Sequence, residues 1–213
     1  MKKRIAVLCL VACGMVLALT NTVRSGEGEK SPESPPAGMS ADAMKAMEAC
    51  MKAMEVTEHH EKLRHFIGDW KVTMRIWHMP GAAPMESPGT STIKSVLGGR
   101  FIQEEFKSSM MGMPYEGIGM QGYNNTRGVY EGTWTSTMDS HIYTMKGTLQ
   151  PDKDGRMNVF NFYGEMDEPA IGILGRLVNY RTTIIDKDHH KFEIFDLAAG
   201  PDFKVIEIDY ARK

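Results

Sequence analysis

Met44, Met47, Met51 and Met54 recur at spacings of three and four, with Cys50 among them, and Met110, Met111 and Met113 form a second cluster. Sulfur ligands of this kind suit Cu(I). The same spacing serves an apolar helical face, which flexible Met fills readily. No fixed ligand spacing favours coordination, so the methionines read as packing residues and no cofactor or metal is expected. Histidine pairs stand at His59-His60 and His189-His190. Neighbouring side chains on a helix or strand diverge, so neither pair is a chelate. Glu61 and His65, one helical turn apart, could share a metal, and His189-His190, after Asp186-Lys187-Asp188, reads as an exposed turn. Asp139-Ser140-His141 has the residue types of a hydrolase, but on a strand Ser140 faces away from His141, and a working Ser must reach its His. No strand-to-helix nucleophile turn and no phosphate-binding glycine loop before a helix accompanies it. The sequence assigns no catalytic residue and leans against an enzyme. Glu104, Arg181 and Asp196 are the candidates should an acid or base lie inside the fold.

Gly117, Gly119, Gly122, Gly128 and Gly132 strip side chains from two successive apolar segments. Such glycines allow sharp coiling of a sheet. They would also leave interior room for a ligand, with Tyr115, Tyr123, Tyr130 and Trp134 as aromatic walls and Arg181 as a polar contact. Curvature is the favoured explanation, because it needs nothing but the glycines.

The elements that must position these residues change character at Asp69. From there, runs rich in Val, Ile, Thr, Tyr and Phe alternate with turn signals, the pattern of strands. Ten are expected, over 69–78, 90–97, 100–108, 115–123, 128–137, 140–149, 156–163, 176–186, 190–198 and 203–212. The turns at Gly98-Gly99, Asn124 to Gly128, Pro151 to Gly155 and Gly200-Pro201-Asp202 are short, which joins neighbours antiparallel. No helix-length segment interrupts them, so a parallel sheet is disfavoured. An all-β, ten-stranded antiparallel up-and-down barrel follows, because closure removes exposed edges; a two-sheet β-sandwich is the alternative. Trp70, Val72, Met74 and Ile76 share one face of the first strand, and Ile206, Ile208, Tyr210 and Arg212 share one face of the last. If these strands pair, Trp70 and Arg212 meet at one rim and close the barrel, the guanidinium over the indole.

Before the strands, 41–67 is rich in Ala, Met, Glu and Lys and reads as one amphipathic helix, capped by Ser40 or Asp42 and stopped by Gly68. Residues 26–40 are polar, with Gly and Pro, and read as a flexible linker. Residues 1–25 have a basic start and an apolar run from Ile5 to Leu19, the anatomy of a signal peptide. Ser25 is the expected last residue removed, with Thr20 second, and the run is too short to span a bilayer. The expected destination is periplasmic or extracellular, with a lipoprotein anchored at Cys13 as the minor alternative. The mature chain then keeps Cys50 alone, without an internal disulfide, and no transmembrane segment. It carries 21 basic and 27 acidic side chains, a net of about −6, which argues against a nucleic-acid partner.

His65-Phe66-Ile67-Gly68-Asp69-Trp70, Leu97-Gly98-Gly99-Arg100-Phe101, the run from Tyr115 through Gly122-Tyr123-Asn124, Trp134, and the closing Tyr210-Ala211-Arg212-Lys213 together resemble a bacterial family known as domain of unknown function 1579. The resemblance covers about 58–213. Where that family usually has Asp after the Gly-Tyr pair, this chain has Asn124. Gly68-x-Trp70 after a helix is also similar to the start of lipocalin-type barrels, in which the Trp closes one end. The resemblance implies a fold and no activity.

Three functions fit this sequence. The first is an exported barrel that binds a small, partly apolar ligand in its interior. The second is an enzyme with an acid or base inside the barrel. The third is an interaction protein that uses the Met-rich helix, by self-association among other routes.

Overall fold

The structure, a computed structural model, describes residues 40–169 and 172–213. The expected signal segment 1–25 and nearly all of the 26–40 linker lie outside the described residues. The chain divides between Glu55 and Val56 into two compact units.

The described part of the first unit is helix α1 (Ala41–Met54), with Ser40 at its N-cap accepting from the Ala43 amide at 3.3 Å. No residue of α1 is buried; Met44 and Met54 are exposed, and Met47 and Met51 are half-buried. The expected single helix over 41–67 is corrected to two. Glu55 is extended, and Thr57 starts a second helix, α2 (Glu58–Leu63), which runs into a 3₁₀ turn, Arg64–Phe66. Two causes act together. Val56 and Thr57 are β-branched and stiff at χ1, and Thr57 opens a capping box: its amide donates to His60 Nδ1 at 3.0 Å.

The second unit is the barrel. Its strands are β1 (Gly68–Ile76), β2 (Met85–Val96), β3 (Phe101–Met110), β4 (Met113–Asn124), β5 (Val129–Ser136), β6 (Tyr143–Pro151), β7 (Met157–Glu168), β8 (Ile173–Asp186), β9 (His189–Asp196) and β10 (Lys204–Arg212). Each pairs antiparallel with its chain neighbours, and β1 pairs with β10, so the sheet is closed and the sandwich is excluded. The β1–β10 register runs from Trp70↔Arg212 to Ile76↔Ile206.

The largest departures from the sequence pattern fall at β2, at β6 and in the β7–β8 hairpin. β2 begins earlier, at Met85, through Pro88-Gly89; this stretch pairs with β1 and not with β3, whose register starts at Thr90, so a missing amide is tolerated there. β6 begins later, because Asp139 Oδ1 accepts from the His141 amide at 3.0 Å and holds a turn. β7 and β8 extend further as a hairpin, carrying a register shift between Met166 and Glu168.

The alternation of side chains puts Trp70, Val72, Met74, Phe106, Phe160, Phe162, Tyr180 and Ile208 inside. The outer wall carries charge across β2, β1, β10 and β9: Arg75 Nη1 meets Glu207 Oε1 at 3.0 Å and also pairs with Asp209, while Lys204 pairs with Glu193 and Glu207. One end of the barrel is plugged by α2 and the 3₁₀ turn. Leu63 and Phe66 are buried there, and the Phe66 ring packs against Phe160 at 5.3 Å.

Candidate ligand site in the barrel interior

Ten strands enclose more space than their side chains fill. A cavity of about 270 Å³ remains, just below the usual range of about 300–1,000 Å³ for small-molecule sites. Phe66 forms its floor, and Met110, Ser136, Met138, Asp139 and Met166 lie toward the opposite, open rim. Met74, Ile93, Ile102, Met145, Ile194 and Ile208 make most of the wall apolar.

Glu104 is the acid in this wall. β3 turns Ile102, Glu104 and Met110 inward by simple alternation. Its Oε1 accepts from the Ser91 hydroxyl at 2.7 Å and from Tyr210 at 3.1 Å. Both bonds go to one oxygen, and Glu104 lines the cavity. Burial raises the carboxyl above the usual carboxylate range, against the pull of those two donors. Burial, with Glu104 beside it, likewise pushes the Tyr210 phenol well up. A cross-strand row continues from the acid: Glu104↔Gly119, Gly119↔Trp134, Trp134↔Tyr143. The Trp134 indole donates to the Tyr115 hydroxyl at 3.1 Å, and Tyr143 donates to Asp139 near the rim.

The glycines of β4 are explained here. A Cβ on Gly117 would stand 2.2 Å from Trp134 Cζ2, and one on Gly119 would stand 2.8 Å from Cε3. The space of the missing side chains is therefore occupied by the indole of Trp134, which also lines the cavity. At Gly122 a Cβ would meet Phe101 at 2.4 Å. Aromatic rings fill what the glycines vacate.

The sequence-selected residues separate. Tyr115 and Trp134 line the cavity. Tyr123 and Tyr130 lie at the plugged end instead, where the Tyr123 ring stacks on His59 at 4.1 Å and the Tyr130 hydroxyl donates to the His59 carbonyl at 3.1 Å. Arg181 is on the outer wall, 4.6 Å from the Phe195 ring and opposite Glu193; alternation turns Tyr180 and Thr182 inward on either side of it. Asp196 pairs with Arg176 at 2.6 Å and does not line the cavity. Glu61 pairs with Arg64 at 2.9 Å. Asn124 takes a turn-forming role, its Oδ1 accepting from the Thr126 and Arg127 amides.

Two interior groups went unnoticed in the sequence. His190, read as part of an exposed turn, is buried: only His189 is outside, bonded to Asp186. His190 stacks on Tyr210 at 4.2 Å and lines the cavity. Burial, then the positive charges of His65 and Arg212, push its imidazole down to about 3. The alternation of His190, Phe192 and Ile194 against Lys191 and Glu193 was the available signal. Tyr180 is the second. Its hydroxyl and His190 Nδ1 are buried without a hydrogen-bond partner, and burial raises the Tyr180 phenol. Among the described residues, no helix is long and apolar enough to cross a membrane.

A closed antiparallel barrel of ten strands, plugged at one end and hollow toward the other, is a calycin-like barrel. The chain belongs to the family described as protein of unknown function (DUF1579), whose model matches residues 55–212. Among solved structures, that of Rv2717c from M. tuberculosis is similar with a TM-score of 0.52 and 14% identity, over 75% of this chain and 99% of that one. The S-type phycobiliprotein lyase CPES from Guillardia theta is similar with a TM-score of 0.47 and 13% identity, over 77% and 96%. The likeness to Rv2717c concerns the fold alone. A search of curated proteins finds no match.

Proposed function

We propose that the barrel is a binding module that holds one small, partly apolar molecule in its interior. The observation that carries this reading is the cavity itself: a mostly apolar space lined by Glu104, whose two hydrogen bonds both go to Oε1, and by Tyr180 and His190, whose hydroxyl and Nδ1 are buried without protein partners. Buried polar groups are costly when unsatisfied, and a ligand's polar atoms would satisfy them. We read the protein as exported, with residues 1–25 as the signal. N-terminal sequencing of the protein recovered from its host tests that part.

The test of binding is native mass spectrometry of the full chain purified from its own host, beside a Thr182→Phe variant. Thr182 lines the cavity, so the added ring fills it. A bound small molecule on the natural protein, lost from the folded variant, supports the module. A natural protein that is empty and also fails to take up short-chain alkyl probes overturns it. The raised carboxyl of Glu104 favours one second reading, a general acid acting on the bound molecule. Chemical change of the retained molecule, abolished by Glu104→Gln, would distinguish it from simple storage.

A further inference from the structure

The lining of the cavity has a charge bias. Its acids are Glu104 and Asp139, and among the described residues that line it none is Lys or Arg. A buried carboxyl normally keeps a cationic partner, because an unpaired charge in an apolar site is expensive. Glu104 has neutral partners alone, Ser91 and Tyr210, and both sit on the same oxygen. Neither bond uses Oε2, and Glu104 lines the space a ligand would fill.

The aromatic groups stand where a cation would use them. Glu104 and Trp134 flank Gly119 in one cross-strand row. The Trp134 indole fills the space at Gly117 and Gly119, and Trp134 and Glu104 line the same cavity. Phe106 lies 5.8 Å from Tyr115 and 6.1 Å from Trp134 between ring centres, so the acid sits within an aromatic corner. Ring faces attract ammonium groups, and a desolvated setting strengthens the attraction. The unpartnered Tyr180 hydroxyl adds a buried acceptor for an N–H in the same cavity.

We infer that the ligand of this barrel is a small apolar amine, bound as its ammonium with Glu104 as counter-ion and Trp134 as aromatic partner. The inference rests on the binding-module reading and names the ligand class for that site. It disfavours an anionic ligand: a fatty carboxylate would enter a chamber lined by Glu104 and Asp139 with no Lys or Arg to receive it. Burial holds the Glu104 carboxyl toward its neutral form in the empty barrel. An entering ammonium supplies the counter-charge that the protein lacks, and the carboxyl proton passes to solvent.

The experiment compares three probes of one length by calorimetry at neutral pH: heptylamine, heptanol and heptanoate. Each is titrated into the full natural chain, Glu104→Gln and Trp134→Leu, with folding of each variant checked by circular dichroism. The expected result is amine binding about tenfold or more tighter than alcohol, as a charge-assisted contact plus a cation–π contact would give, with no measurable heptanoate binding. Glu104→Gln should bring the amine to within about twofold of the alcohol, because it removes the ionic contact, with the alcohol weakened less than the amine. Trp134→Leu should weaken the amine more than the alcohol. Equal affinities for amine and alcohol in the natural protein, or tighter heptanoate, overturn the amine assignment and leave the binding module standing. Failure of all three probes overturns both.

Discussion

Arg212 covers Trp70: its guanidinium carbon lies 4.1 Å from the centre of the indole ring, and the two are register partners where the last strand joins the first. The same guanidinium donates to the Ile67 carbonyl at 2.8 Å and the His65 carbonyl at 2.9 Å, just below the plug. The indole Nε1 in turn donates to the Phe66 carbonyl at 2.8 Å. Closure of the sheet and anchoring of the plug are thus one contact. Arg212→Met keeps the aliphatic stem but loses the cation–π contact and the hydrogen bonds to the Ile67, His65 and Lys187 carbonyls. The expected result is a folded barrel less stable by about 2–3 kcal/mol in urea unfolding. Gly68 has φ +143°, and a Cβ there would stand 2.4 Å from Arg212 Nη1. Gly68→Ala should therefore destabilise as well, and by less in the Arg212→Met background, since the clash is then with a flexible stem.

Gly117 tests the seat of Trp134. A Cβ at Gly117 overlaps the indole, so Gly117→Ala should cost about 1–3 kcal/mol, the usual range for overpacking. In a Trp134→Leu background the same change should cost under about 1 kcal/mol. A double-mutant cycle measures that coupling directly, and additive costs would show that the glycine serves backbone curvature instead.

His190 sets an acid limit on stability. Its imidazole is pushed from 6.5 to about 3, first by burial and then by His65 and Arg212. Between those values the unfolded chain binds a proton that the folded barrel refuses, so this contribution is intact above the upper value and is lost as pH falls. By pH 5 the loss from this one group is roughly 2 kcal/mol. Glu104 works in the opposite direction: its raised carboxyl binds its proton better in the folded state, so its effect on stability worsens as pH rises above 4.5. His190→Phe retains a ring against Tyr210 and should flatten the profile between pH 5 and pH 7. Denaturant unfolding at several pH values, compared with the natural protein, reads out the difference.

Tyr180→Phe should separate stability from binding. The hydroxyl is buried without a partner, so removing it relieves an unsatisfied group, and the empty protein should become more stable by about 1 kcal/mol. Retention of the bound molecule in native mass spectrometry should fall. A variant that loses stability and keeps its ligand would place an ordered water, not a ligand atom, on that hydroxyl.

The strands were legible because their signal is local. Side chains alternate with a period of two along any strand, and Gly, Asn, Asp and Pro mark the turns, so ten strands and short antiparallel connections follow from residue order. The faces of Trp70 and Arg212 even implied the closing pair. The helix break after Met54 was less legible, because composition favoured one helix while β-branched Val56-Thr57 and the cap between Thr57 and His60 decided for two. The site lay beyond local patterning. Tyr115, Tyr123, Tyr130 and Trp134 are alike as a sequence, yet the first and last line the cavity while the middle two stand under the plug. Gly117 and Gly119 read as sheet curvature first and ligand room second, and nothing local shows that Trp134, from the neighbouring strand, fills the space beside them. Which end is plugged, which glycines are filled and which acid is left without a cation depend on register between strands and on closure of the ring. Those relations join residues far apart in the chain, and only packing of the closed barrel decides them.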